Sequence, residues 1–278
     1  MDKLEFTGER LIPGVYGQIA IDHLHRYSIA YPLVANKVVL DIACGEGYGS
    51  SLLSKVADQV IGVDISETTV NHAKQRYNSN NLSFRVGSAD KIPVEDNFFD
   101  IVVSFETIEH LENHDEMISE IKRVLKHNGL LIISSPNKVE YSVARNYSNP
   151  FHEKELNKGE FEELISKYFD NVIVKCQSPL IGSFVYDDKV RSEMKVNIVS
   201  GDFSAFDFNF YVNPKYFIIF AGNLSISNLN SRFVGNELFN YEFNKIKNYR
   251  EKFINSFRYK LINFLFIPFD FFKSIIRK

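Results

Sequence analysis

Short apolar runs that alternate with segments of helical periodicity constrain this chain more than any other feature. Val38–Ile42, Gln59–Val63, Leu82–Val86, Asp100–Ser104 and Leu130–Ser134 are such runs, followed by Asn171–Lys175 and Lys215–Ala221. Between them, Gly49–Lys55, Thr68–Tyr77, His114–Val124 and Lys158–Tyr168 carry helical patterns. Strands that alternate with helices build a mostly parallel sheet, because a parallel neighbour needs a crossover long enough to hold a helix. The early strands read as continuous β-branched runs, which predicts that helices cover both of their faces. The expectation is a doubly wound α/β fold of seven strands whose ligands sit outside the carboxyl ends of the strands.

The rest of the 278 residues divides around that pattern. Residues 1–35 form an N-terminal cap on the substrate side, 36–222 the sheet domain, and 223–278 a tail. The irregular, polar and aromatic stretch 179–210 reads as a lid-like excursion. In the tail, Ile246, Tyr249, Phe253, Phe257, Leu261 and Phe264 recur at spacings of three and four, the stripe of an amphipathic helix. From Lys245 onward nine Lys or Arg face only Glu251 and Asp270, a local charge of +7, so the first 244 residues carry −10 of the net −3. An acidic body argues against nucleic acid as the partner. The tail has three readings: packing on the body, forming a homodimer, or lying on an anionic membrane or on glycan-assembly machinery. Residues 1–20 show no signal-peptide pattern, and two cysteines, Cys44 and Cys176, exclude a disulfide framework. A cytoplasmic protein, peripheral to the inner membrane face if the tail docks there, is expected.

Two motifs carry chemistry. In Val38-Val-Leu-Asp41-Ile-Ala43-Cys-Gly45-Glu46-Gly47-Tyr-Gly49 a strand runs into a glycine-rich turn that opens a helix. In Ile61-Gly-Val-Asp64-Ile65-Ser the second strand ends on an acid placed to accept from both hydroxyls of a ribose. A pyrophosphate at this turn is disfavoured by Asp41 and Glu46, whereas a ligand with an ammonium or sulfonium group is favoured. Metal binding is not expected, since His23 and His25 lie only two apart and no acid–histidine set recurs beside them.

With these residues in place the sequence resembles the class I S-adenosylmethionine-dependent methyltransferases, which have a Rossmann-like sheet. Gly87-Ser-Ala89-Asp90-Lys-Ile-Pro is similar to the family's adenine-binding loop. Asn97-Phe-Phe-Asp100 through Phe105-Glu106-Thr-Ile-Glu109-His110-Leu is similar to strand four and the loop after it, and Arg123 through Pro136-Asn137 to the entry into strand five. A narrower likeness, carried by Phe6-Thr-Gly-Glu-Arg10, His23-Leu-His25-Arg26-Tyr27 and Asn149-Pro-Phe-His152-Glu-Lys-Glu155, is to methyltransferases of bacterial surface-polysaccharide clusters.

The resemblance implies S-adenosyl-L-methionine as cofactor and a glycan or sugar-derived acceptor. Asp41, Gly45 and Gly47 would hold the methionine part, Asp64 the ribose and Ala89 and Asp90 the adenine; Phe105 would cover the cofactor, and Ala43 and Ile65 would contact it. His110 is the expected general base, with His152 next and Glu106 in support. Arg10, His25 and Arg26 are candidates for a phosphate or acidic sugar. Small-molecule, quinone, lipid and phosphoryl acceptors, or a scaffold that binds cofactor without turnover, stay open at this point.

Overall fold

The computed structural model describes residues 11–14, 17–179 and 213–222, with short pieces at 200–201, 206–207 and within 247–255. Residues 1–10, most of the expected lid and most of the tail lie outside the described residues. Seven strands form one sheet: β1 (Val38–Ile42), β2 (Gln59–Asp64), β3 (Leu82–Val86), β4 (Phe99–Phe105), β5 (Leu125–Pro136), β6 (Val172–Gln177) and β7 (Tyr216–Gly222). Their order is β3-β2-β1-β4-β5-β7-β6. The first five pair in parallel, while β7 runs antiparallel to both β5 and β6, with Ile133 opposite Ile219 and Val174 opposite the same residue.

Helices cover both faces, and the register explains how. In β1, Val39 packs with Tyr27 and Ala30 of α1 (Gln18–Ala30) and Leu53 of α2 (Tyr48–Leu53), while Leu40 and Ile42 point to the other side. There they meet Met117, Ile118 and Ile121 of α4 (His114–Val124) and Phe161 and Ile165 of α5 (Lys158–Ser166). Alternate residues of one strand therefore bury into two separate cores, as a sheet covered twice requires. β3 departs from this. It is an edge strand with only Phe84 buried and Val86 44% exposed, so its expected double coverage is corrected here. Phe84 instead packs on Val70 and Ala73 of α3 (Glu67–Arg76).

Local chemistry starts the helices where the sequence indicated. Ser66 accepts from the Thr69 N–H at the start of α3 and Asn113 from the Glu116 N–H at α4. Asn157 and Glu160 form a reciprocal capping box at α5. The expected N-terminal cap contains a helix, α1, that no apolar periodicity in the sequence indicates. Its inward face includes Asp22 and Arg26, which breaks the apolar pattern.

Phe161 joins α5 to the sheet and is fully buried. Phe161→Ala is expected to lower unfolding free energy by about 3–5 kcal/mol through lost burial plus a residual cavity. Urea denaturation of both proteins measures it.

Candidate active site

The carboxyl ends of β1, β2 and β4 open onto a cavity of about 310 Å³. Ala43, Gly45, Asp64, Ile65, Ala89, Phe105, Glu106 and His110 all line it, together with Leu11, His23, Tyr27 and Tyr48 from the N-terminal side and α2. Eight of the expected site residues thus meet around one space.

The turn after β1 is built for close approach. Gly45 has φ +55 with nothing within 4 Å of where a Cβ would stand, so its backbone is bare to the cavity. Gly47, at φ +92, serves packing: a Cβ there would come within 2.8 Å of the Phe84 ring and 3.0 Å of Ala73 Cβ. It does not line the cavity. Asp64 ties the turn to the second strand, accepting from Gly45 N–H at 2.9 Å through one oxygen and from Ser66 N–H at 2.9 Å through the other. Each carboxylate oxygen has two lone pairs, so Asp64 keeps acceptor capacity toward the cavity. Ile65 beside it is 72% exposed, an apolar plate at the mouth. Phe105 is held edge-on by Tyr27, centroids 5.1 Å apart.

Three of the acids sit elsewhere than expected. Asp41 lies inside β1 and is buried beneath the turn, where it accepts from Ser50 Oγ at 2.7 Å and from Tyr27 Oη at 3.2 Å and 3.3 Å. It supports the turn from behind and does not line the cavity. Burial raises its pKa to about 7, against the two hydroxyls, which favour the charged form, and with the nearby Asp64 charge adding to the rise. Glu46 also turns away from the cavity, toward α3. It accepts from Tyr77 Oη at 2.9 Å and lies 3.1 Å from Arg76 Nε and 3.4 Å from His72 Nε2. The expectation that Glu46 favours a cationic ligand is thereby corrected. Asp90 is exposed and outside the cavity lining, whereas its neighbour Ala89 is in it.

The loop that carries Ala89 is fixed by residues of α4. Arg123 of α4 donates to the carbonyls of Ile92 and Val94, at 3.0 Å each, and pairs with Glu120 and Asp96. Glu120 in turn accepts from Ile92 N–H at 3.0 Å.

On the acceptor side, Glu106 follows β4 at φ +53, a conformation that costs a non-glycine residue roughly 1–3 kcal/mol. Ser134 Oγ donates to it at 2.7 Å and holds it toward the cavity. Arg26, expected as an entrance residue, is buried instead: Nη1 donates to Gln177 Oε1 at 2.8 Å and lies 3.7 Å from Glu106. His110 Nδ1 donates to the Phe151 carbonyl at 2.7 Å, so the lone pair is left on Nε2. His152 lies edge-on to His110, centroids 5.1 Å apart, with Nδ1 against Glu155 and Nε2 against Asn149 Nδ2 at 2.9 Å. Burial lowers the His152 pKa and raises that of Glu109 well above the usual carboxyl range, with Glu106 adding to the latter. Donor atoms of Glu109, His110 and His152 lie within 4.8 Å of one another, an acid–histidine group far in sequence from His23 and His25. Cys44 lines the cavity as a thiol, its pKa pushed up by burial.

Residues 40–133 match the methyltransferase domain family. A protein of Mycolicibacterium smegmatis named probable S-adenosylmethionine-dependent methyltransferase is 39% identical over 167 residues, covering 58% of this chain and 63% of that one. A ubiquinone biosynthesis O-methyltransferase of Bradyrhizobium diazoefficiens is 30% identical over 172 residues, covering 57% and 68%. The chain belongs to the class I S-adenosylmethionine-dependent methyltransferases. It spans under two thirds of the length of the mycobacterial relatives, 63% for M. smegmatis and 60% for Mycobacterium tuberculosis. The fold agrees with a solved protein of Pyrococcus horikoshii at TM-score 0.53, with 24% identity over 78% of this chain and 100% of that one. The residues present fit the methyltransferase cofactor. Bare backbone at Gly45, spare acceptor capacity on Asp64 and the apolar Ile65 surround one cavity of suitable size.

Two outcomes follow for these methyltransferase elements. The folded pKa of Asp41 lies above its unfolded value, so the native state without ligand holds the extra proton and loses stability as pH rises from about 4 to 7. Asp41→Asn, neutral at every pH, should flatten that dependence, so that the melting temperatures of variant and wild type diverge toward pH 7. Arg123→Ala should weaken cofactor binding several-fold through the Ala89 loop while β1 and β2 keep their hydrogen-exchange protection.

Proposed function

We propose that this protein transfers the methyl group of S-adenosylmethionine to a hydroxyl of a sugar or sugar-linked group in bacterial surface-polysaccharide biosynthesis. The observation that carries the reading is the hydrogen bond that holds His110 Nδ1 on the Phe151 carbonyl, which leaves Nε2 for the cavity end occupied by Glu106. Bound in this cavity, S-adenosylmethionine supplies an electrophilic methyl group. Asp64 would hold the ribose hydroxyls, the Gly45 and Ala43 backbone the methionine part, and Ala89 and Ile65 the adenine side. Asp41 and Asp90 act at most from outside the lining.

A hydroxyl that becomes an ether must lose its proton as the C–O bond forms and the C–S bond breaks. His110 Nε2 and the Glu106 carboxylate are the groups at that end able to receive it. Holding the acceptor in line adds the larger share, roughly 7–11 kcal/mol in favourable intramolecular cases. Tyr141, stacked on His152 at 5.3 Å with the cations Arg145 and Lys215 within 6 Å of its ring, supports a sugar that carries acidic groups. A quinone or lipid acceptor is the second reading, favoured by the likeness to a ubiquinone biosynthesis O-methyltransferase. Contact of the tail with membrane or glycan machinery, or a homodimer through its aromatic stripe, belongs to the same proposal.

Calorimetry on the purified chain should show binding of S-adenosylmethionine and of its demethylated product, with no heat from NADH. Asp64→Ala should weaken both by at least tenfold, about 1.4 kcal/mol. Radiolabelled methyl should then appear in acidic oligosaccharide and not in a catechol-type quinone precursor. Label in the quinone alone would transfer the assignment to the second reading, and binding without label in any acceptor would leave a scaffold.

A further inference from the structure

The cavity end that holds Glu106 is backed by a second arrangement which cofactor binding does not use. The short turn Ile108–His110 and the segment 149–155 are stitched together by backbone bonds. The Glu109 carbonyl accepts from Glu153 N–H at 2.9 Å and Lys154 N–H at 3.1 Å, and the Phe151 carbonyl accepts from His110 Nδ1 at 2.7 Å. These bonds bring one carboxylate and two imidazoles from 42 residues apart to within 4.8 Å.

Three features distinguish this group from a chance meeting of polar side chains. Glu109 is only 1% exposed, and its Oε2 has no hydrogen-bond partner, an expensive state for a buried carboxyl oxygen. Each histidine has its Nδ1 side committed, His110 to a carbonyl and His152 to the Glu155 carboxylate. That is the arrangement that orients imidazoles for coordination through Nε2 and raises their basicity. Finally, the Glu155 carboxylate is itself held by Ser142 Oγ at 2.7 Å, and Tyr141 stacks on the His152 ring, so the supporting layer is fixed.

We infer that Glu109, His110 and His152 form a binding site for a divalent transition-metal ion of the zinc type. Two imidazoles and one carboxylate suit such an ion better than magnesium or calcium, which prefer all-oxygen sets. Bonds of about 2.1 Å to a tetrahedral ion place donors about 3.4 Å apart, so side-chain rotation closes the remaining distance. The Asn149 amide, now 2.9 Å from His152 Nε2, is displaced when the ion enters. Three protein donors leave one position open, and His110 lines the cavity, so an acceptor hydroxyl can occupy it. Coordination lowers the pKa of a bound hydroxyl, and Glu106 is then the group left to take its proton. This last step rests on the proposed methyltransferase reaction; ion binding itself does not.

Metal binding is therefore measured on the full chain without cofactor or acceptor. Chelator-treated protein is titrated with Zn²⁺ by calorimetry and with Co²⁺ by visible absorption. One ion per chain is expected, with ligand-field bands but no thiolate charge-transfer band, which separates this site from Cys44 and Cys176. Glu109→Gln, His110→Ala and His152→Ala should each weaken binding at least tenfold, and Glu155→Gln by roughly ten- to a hundredfold through the lost second-layer bond. His127→Ala, on the exposed start of β5, should bind as the wild type does. Circular dichroism selects the variants that fold, and any one folded ligand variant suffices. Absence of one-to-one binding, thiolate bands in the cobalt spectrum, or unchanged affinity in a folded ligand variant would overturn the site. Cofactor binding measured separately keeps that failure distinct from failure of the methyltransferase reading.

Discussion

A buried carboxylate held by two hydroxyls, Asp41, is the constraint around which the active edge is organised. Ser50 and Tyr27 donate to it, so the start of α2 and the last turn of α1 are both drawn to the same point under the turn. Tyr27 in the same position supports Phe105 and Tyr48. The turn is thereby fixed from below by Asp41 and from the side by Asp64, which leaves its upper surface free for a ligand. An acid that titrates near neutrality in the ligand-free fold is also a charge that a cationic cofactor can stabilise.

The strands were legible because a parallel sheet demands continuous apolar runs, and boundaries such as Val38–Ile42 and Leu82–Val86 fell where those runs begin and end. The cavity residues were legible because strand ends place them: Asp64 and Phe105 close β2 and β4, and Gly45, Ala89, Glu106 and His110 follow a strand end by one to five positions. The antiparallel placement of β7 was not, since nothing local to Tyr216–Gly222 indicates its direction.

The misreadings share a cause. Glu46 sits in the ligand turn by sequence, yet its partners are Arg76 and Tyr77 on α3, some thirty residues on. α1 was missed because Asp22 and Arg26 point inward and are compensated by Gln18 and Gln177 respectively. The Glu109–His110–His152 group is not visible in sequence because α4 and β5 separate its third member from the other two. In each case a polar residue was read by its neighbours in sequence, while a tertiary partner decided its direction.

The placement of β7 also governs the order in which the chain can mature during synthesis. Among the described residues β6 pairs with β7 alone, and the far edge of β5 is closed by the same strand. After Gln177 emerges, 45 more residues must be made before Gly222 follows. At about 5–20 residues per second that interval is roughly 2–9 s. Throughout it the parallel half presents an open, fully apolar edge, Leu130 to Ile133, of the kind that invites pairing with other chains. The nascent protein thus depends on whatever shields that edge until β7 arrives.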